Sequence, residues 1–149
     1  MPQSRRTFLS HSAVAVSSGV AGMLFPSCGV GADDENNDSV MLLGFSTYGA
    51  KRLKTEATID LIANTGFDSV EITVWPDWDA APANMPQKRR TGLRNQISDS
   101  GLTLTSLMEH LYPEADDAKH KASLDRLKSV FELANDLCPD SPPVVQTVL

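Results

Sequence analysis

Several familiar chemistries are missing from this chain. It has two cysteines and three histidines in 149 residues, and no paired-cysteine metal motif. It holds no glycine-rich phosphate loop and no Ser/His/Asp order of a nucleophilic triad. Lysine and arginine number 13 against 19 aspartates and glutamates, for a net charge of −6. That balance disfavours nucleic-acid binding through a basic surface. A transmembrane helix needs about 20 apolar residues. The uncharged run from Ala13 to Phe25 falls short and is broken by Ser17, Ser18, Gly19 and Gly22.

What is present begins with an address. Ser4-Arg5-Arg6-Thr7-Phe8-Leu9 stands just ahead of that run. A positive start, a short apolar stretch and a small-residue exit make an export signal. Paired Arg5 and Arg6 specify the twin-arginine route; an ordinary Sec signal is the rival, and the weakly apolar stretch favours the former. The expected location is periplasmic or extracellular, and the expected partner is the twin-arginine translocation machinery. The exit admits two readings. Val30-Gly31-Ala32 puts small residues where a peptidase cuts, so cleavage after Ala32 releases a soluble protein. Cys28, after Leu24-Phe25-Pro26-Ser27, resembles a degenerate lipoprotein box, from whose pattern Phe25 and Pro26 depart. Only lipidation of Cys28 would hold the protein to a membrane. Loss of Cys28 with the signal leaves Cys138 alone, without an internal bridge. Residues 33–39 form an acidic linker: Asp33 to Asp38 contains no apolar residue and stays solvated.

From Val40 onward, strands and helices alternate. Val40 to Ser46 is a short apolar run that reads as a buried strand. Glu56 to Thr65 reads as a helix with Thr55 as cap, Ile59 and Ile62 on its inner face, and Gly66 at its stop. Asp68 to Val74 is a second strand, closed by Trp75-Pro76. Pro86 to Ser100 is a second helix, with Pro86 in its first turn and Gly101 past its end. Leu102 to Leu107 is a third strand. Asp116 or Asp117 to Leu137 is a third helix, with Leu124, Leu127, Phe131 and Ala134 predicted on its inner face. After the Pro139-to-Pro142 break, Val144 to Leu149 is a fourth strand. This βαβαβαβ order predicts an α/β fold with a parallel sheet, doubly wound or closed as a barrel. The chain stops inside an apolar strand. The expectation is therefore a truncated protein, with residues 40–149 as the first half of a (β/α)8 barrel, a fold of about 250 residues.

In such folds the chemistry gathers where strands end at their C-termini. That rule selects Ser46, Thr47 and Tyr48; Glu71, Thr73, Trp75, Asp77 and Trp78; and Met108, Glu109, His110 and Tyr112. Carboxylates, aromatics and a histidine suit a sugar or polyol, because ring faces pack on C–H patches while charged groups bond hydroxyls. Each residue also has a plainer reading. Glu71 alternates with Val70 and Ile72, so it faces away from them and needs a partner. His110 reads equally as a loop histidine, and Trp75 and Trp78 as cover for the rim. His120 reads as a helix-surface residue, and Lys88-Arg89-Arg90 as a solvated helix face.

Three passages carry a resemblance: Leu43-Gly44-Phe45-Ser46-Thr47-Tyr48, the stretch from Ile62 through Gly66-Phe67-Asp68-Ser69-Val70-Glu71-Ile72, and Ser100 to Leu107. With the long helix and Val144-Val145 they resemble the first half of the sugar phosphate isomerase/epimerase superfamily, the xylose-isomerase-like barrels. The resemblance implies a divalent metal cation (Mn, Mg, Co or Zn) at the barrel mouth, held mostly by residues beyond Leu149, with no metal ligand within this chain. It implies metal-assisted proton transfer beside the carbonyl of a ketose or aldose. Carried over residue by residue, it puts Tyr48 at the mouth beside the substrate and matches Glu71 and His110 to polar positions at the ends of strands two and three; Trp75, selected by its place after strand two, completes the expected substrate-binding set, and the catalytic residues stay unidentified. A non-catalytic, exported sugar-binding barrel is the alternative. An apurinic-endonuclease-type barrel is a second, disfavoured by few histidines and by the acidity of the chain.

Overall fold

Four strands and three helices alternate: β1 (Gly44–Ser46), α1 (Thr55–Thr65), β2 (Ser69–Thr73), α2 (Gln87–Asp99), β3 (Thr103–His110), α3 (Asp117–Leu137) and β4 (Val144–Val148). Short 3-10 turns lie at Thr47–Ala50 and Pro82–Asn84. The structure, a computed structural model, describes residues 41–111 and 116–148. The signal with Arg5, Arg6 and Cys28, the acidic linker and Tyr112 lie outside the described residues. All strand pairs are parallel, in the order β1-β2-β3-β4. The chain is thus an α/β fold with a four-stranded parallel sheet.

Period-two alternation divides the sheet into two faces. Val70, Ile72 and Val74 have no solvent exposure. They pack with Ile59 and Ile62 of α1, Leu93 and Ile97 of α2, and Val130, Leu133, Ala134 and Leu137 of α3. Neighbouring helices also touch one another, so all three cover the same face. The opposite face carries Ser69, Glu71 and Thr73 on β2, Thr103, Ser106, Met108 and His110 on β3, and Gln146 on β4, as the strand registers align them. It is mostly polar, with Met108 and the exposed Val144, which pairs with Ser106, as apolar members. Where β1 runs beside Ser69 the strands are close: a Cβ on Gly44 would stand 2.7 Å from the Ser69 hydroxyl, so the position admits a residue larger than glycine only if Ser69 shifts.

A bulge breaks the alternation of β3. Ser69 and Val70 pair with Thr103 and Leu104, but Glu71 pairs with Ser106. Thr105 is the extra residue, and its hydroxyl donates to the Val70 carbonyl at 3.2 Å. Leu104 and Leu107 therefore both face the helices. Beyond the bulge Glu109 also turns to that side, where it meets Arg126 of α3, while Met108 and His110 take the open side. The strand runs on to His110 instead of ending at Leu107, so Met108, Glu109 and His110 are strand residues and not loop residues.

The helix ends show how tertiary contacts complete local signals. Gly66 closes α1 with a φ of 90°, and the Phe67 N–H reaches the Ile62 carbonyl at 3.4 Å, a left-handed cap that glycine adopts without strain. Thr55 is the first helical residue and not the cap; Lys54 precedes it and gives no side-chain cap. The cap comes from Asp79, whose carboxylate accepts the Thr55 N–H and hydroxyl, each at 2.9 Å. Asp116 does cap α3, accepting the Lys119 N–H at 3.0 Å. The inner face of α3 differs from the predicted stripe. Val130, Leu133, Ala134 and Leu137 are buried, whereas Leu124 and Phe131 are about half exposed. Both stripes have helical period, and only the sheet decides which one is covered. Cys138, just past α3, is buried. Among the described residues no helix is long and apolar enough to cross a membrane.

Candidate functional site

The C-terminal ends of β1, β2 and β3 bring four rings together. Tyr48 comes from the 3-10 turn after β1, where the Ser46 hydroxyl accepts the Tyr48 N–H at 3.2 Å. Trp75 and Trp78 follow β2 in a tight turn closed by the Trp78 N–H on the Trp75 carbonyl at 3.0 Å. Ring centroids lie 5.4 Å apart for Tyr48 and Trp75, 5.5 Å for Tyr48 and Trp78, and 5.9 Å for Trp75 and Trp78. His110, the last residue of β3, sets its ring 4.7 Å from Trp75. These separations suit offset and edge-to-face contacts. Trp78 is buried at the base of the cluster and Tyr48 is 53% exposed at its outer side. The Lys51 ammonium lies 5.3 Å from the centre of the Trp78 ring, a cation–π distance.

Glu71 stands lower on the open face, near the middle of the sheet. Its Oε2 accepts the Ser106 hydroxyl at 2.8 Å and the side-chain amide of Gln146. One carboxylate thus links three neighbouring strands, which answers the need for a partner on a half-buried acid. Two further groups near the end of β2 are buried without a hydrogen-bond partner: the Thr73 hydroxyl and the Trp75 indole N–H. Buried donors are rarely left so unless a water or ligand completes them. The Thr73 N–H is itself satisfied by the Thr47 hydroxyl at 2.9 Å.

The loop that carries the tryptophans is held by charge. Asp79 accepts from Lys54 Nζ at 2.6 Å as well as from Thr55 and Arg89. Arg89 forks onto Glu56, Nε to Oε1 at 2.7 Å and Nη2 to Oε2 at 2.9 Å. Burial of Asp79 works against its charge, but hydrogen bonds from Lys54, Thr55 and Arg89 outweigh it and hold the carboxyl far below the usual range. The bond from Arg89 is the main cause that lowers Glu56. Arg89 is held charged, chiefly by Glu56. Arg90 pairs with Asp136 at 2.7 Å. Arg89 and Arg90 are therefore half-buried ties and not a solvated face; Lys88 is exposed.

The structure gathers Tyr48, Trp75, Trp78 and His110 at one end of the sheet and places Glu71 on the same open face. Glu109 is turned away, into the layer between sheet and helices, and Asp77 is exposed. Sequence reasoning missed Ser106, Gln146, Asp79 and Arg89. Ser106 and Gln146 are unremarkable residues in strands, and Asp79 finds its partners 10 to 25 residues away, so no local pattern marks them. Among the described residues no group of three or more His, Cys, Asp or Glu side chains could hold a metal ion. The described residues of the mouth do not make a metal centre by themselves. A groove of about 380 Å³ at the opposite end of the sheet is lined by Arg94, Leu102, Thr103, Leu137 and Pro139. It shares no residue with the mouth, and in parallel βα folds ligands bind at the C-terminal strand ends. No protein-family model and no curated protein matches the chain.

Proposed function

We propose that the four-stranded sheet is one half of an eight-stranded βα barrel, and that its mouth binds a small sugar or polyol in an exported protein of the sugar isomerase/epimerase type. Two features support the barrel. Each strand lies beside its predecessor, whereas a doubly wound sheet reverses its order at a switch point. All three helices cover one face, and the other is mostly polar; parallel sheets are ordinarily covered on both faces, which leaves the open face to line a lumen.

The observation that carries the ligand assignment is Glu71, fixed by Ser106 and Gln146 on the open face, below the ring wall of Trp75, Trp78, Tyr48 and His110 at the strand ends. Ring faces take the C–H patches of a sugar, and the carboxylate accepts from its hydroxyls. The indole N–H of Trp75, buried and without a partner, offers a donor to a ligand oxygen. Glu71 already accepts two donors on one oxygen, an arrangement that suits orienting a hydroxyl better than removing a proton. Proton transfer beside a carbonyl, the isomerase step, is assigned to groups outside the described residues.

The test is sugar binding by the full-length protein, measured calorimetrically with xylose, fructose and xylitol. Glu71→Gln and His110→Ala should each weaken binding about tenfold or more, near 1.4 kcal/mol, with the melting temperature nearly unchanged. Wild-type affinity in both variants would remove the basis for the assignment.

A further inference from the structure

Trp75 and Trp78 are the two tryptophans of the chain, and both sit in the loop between β2 and α2. Apart from one 3-10 turn that loop has no regular structure. It is nevertheless bonded at nearly every step. Asp79, next to Trp78, accepts from Lys54 Nζ at 2.6 Å, from the Thr55 N–H and hydroxyl at 2.9 Å each, and from Arg89. Arg89 Nη1 donates to the carbonyls of Asp79 at 3.0 Å and Asn84 at 3.1 Å. The Asn84 amide returns to the Trp78 carbonyl at 2.9 Å. Arg89 is anchored in turn on Glu56 of α1 by its two bonds at 2.7 and 2.9 Å. Two acids, Asp79 and Glu56, and two bases, Lys54 and Arg89, thus close a neutral knot joining the start of α1, the loop and the first turn of α2.

We propose that Asp79 and Arg89 are positioning residues that set the ligand affinity of the mouth without touching the ligand, by holding Trp78 and, through it, Trp75 and Tyr48. The proposal rests on the reading of the mouth as a sugar or polyol site. Its physical basis is preorganisation: a wall ordered beforehand spares the ligand the entropy of ordering it, and loops left to themselves sample many conformations. The knot lies beneath and behind the rings. Asp79 has 18% side-chain exposure and Arg89 22%, and the carboxylate of Asp79 is fully engaged by its four donors.

Because both tryptophans are in the wall, their signals report on it with or without a ligand. The full chain is compared as wild type, Asp79→Asn, Asp79→Glu and Ile97→Val, the last a core change in α2 away from the loop. Near-UV circular dichroism and acrylamide quenching read the wall, and far-UV circular dichroism reads the fold. Asp79→Asn should raise the quenching constant about twofold and collapse the near-UV band with the far-UV spectrum unchanged; Asp79→Glu should restore part of it, and Ile97→Val should leave the wall signals alone. Titration with xylose, fructose and xylitol should then show about tenfold weaker binding in Asp79→Asn. Unchanged wall signals in Asp79→Asn, or an equal change in Ile97→Val, would overturn the proposal. If wild type binds none of the three probes, the sugar reading fails while the wall signals still decide whether Asp79 positions the rings. Should Asp79→Asn not fold, Glu56→Gln, which loosens Arg89 but keeps the α1 cap, must shift the wall signals in the same direction for the proposal to stand.

Discussion

Arg126 reaches from α3 to the sheet and sets its Nε 2.9 Å from Oε2 of Glu109, a carboxylate with no solvent exposure. Its Nη2 donates to the Val74 carbonyl at 2.6 Å, and the other oxygen of Glu109 accepts the His110 N–H at 2.8 Å. The pair therefore ties α3 to the ends of β2 and β3, one residue before Trp75 and one before His110. It lies on the helix side, opposite the face that carries Glu71.

A buried ion pair is costly to break on one side. Arg126→Met leaves the Glu109 carboxylate buried and uncompensated, and should cost about 3–5 kcal/mol. The double variant Glu109→Leu/Arg126→Met should recover most of that loss, since apolar residues of similar size carry no charge to desolvate. Urea unfolding of the two single variants and the double variant checks this. Single losses that simply add in the double variant would show that the two residues are uncoupled.

Acid should loosen the knot around Asp79. The carboxyls of Asp79 and Glu56 are both lowered in the folded protein. A lowered carboxylate contributes stability that is fully present above its unfolded-state value and is lost as pH falls through its folded-state value. The urea midpoint should hold down to about pH 5 and decline below about pH 4. Asp79→Asn should be less stable at neutral pH and show a shallower acid decline. A decline parallel to that of wild type would mean that Asp79 does not carry it.

Export should depend on Arg5 and Arg6, which lie outside the described residues. Replacing both with lysine keeps the charge but removes the twin-arginine signal. A fused reporter should then stay in the cytoplasm. Undiminished export of the double-lysine variant would reassign the segment to the Sec route.

At β2 the sequence pattern and the packing agree. Val70, Glu71 and Ile72 alternate apolar, charged and apolar, and a strand sends neighbours to opposite faces. That period alone sets Glu71 apart from the core, as the structure has it. The same reasoning misjudged α3. Leu124 and Phe131 share a helical face with Ala134, but Val130, Leu133 and Leu137 share another, and a helix has no means of choosing until a sheet lies against it. Arg89 is a comparable case: in sequence it is one cation in a run of three, and its fork onto Glu56 exists only because α1 and α2 are neighbours.

The order of elements, the parallel α/β class, the glycine stop of α1 and the rise of Tyr48, Trp75 and His110 to the strand ends followed from local rules: periodicity, caps and turn residues act within a few positions. Tertiary structure alone decided the bulge at Thr105. Without that extra residue the far half of β3 would be turned over, with His110 toward the helices and Glu109 on the open face. The bulge is a mismatch between two strands, so it is written in neither. The same holds for the partners of Glu71 and Asp79, which are distant in the chain and become neighbours only when the strands and helices pack.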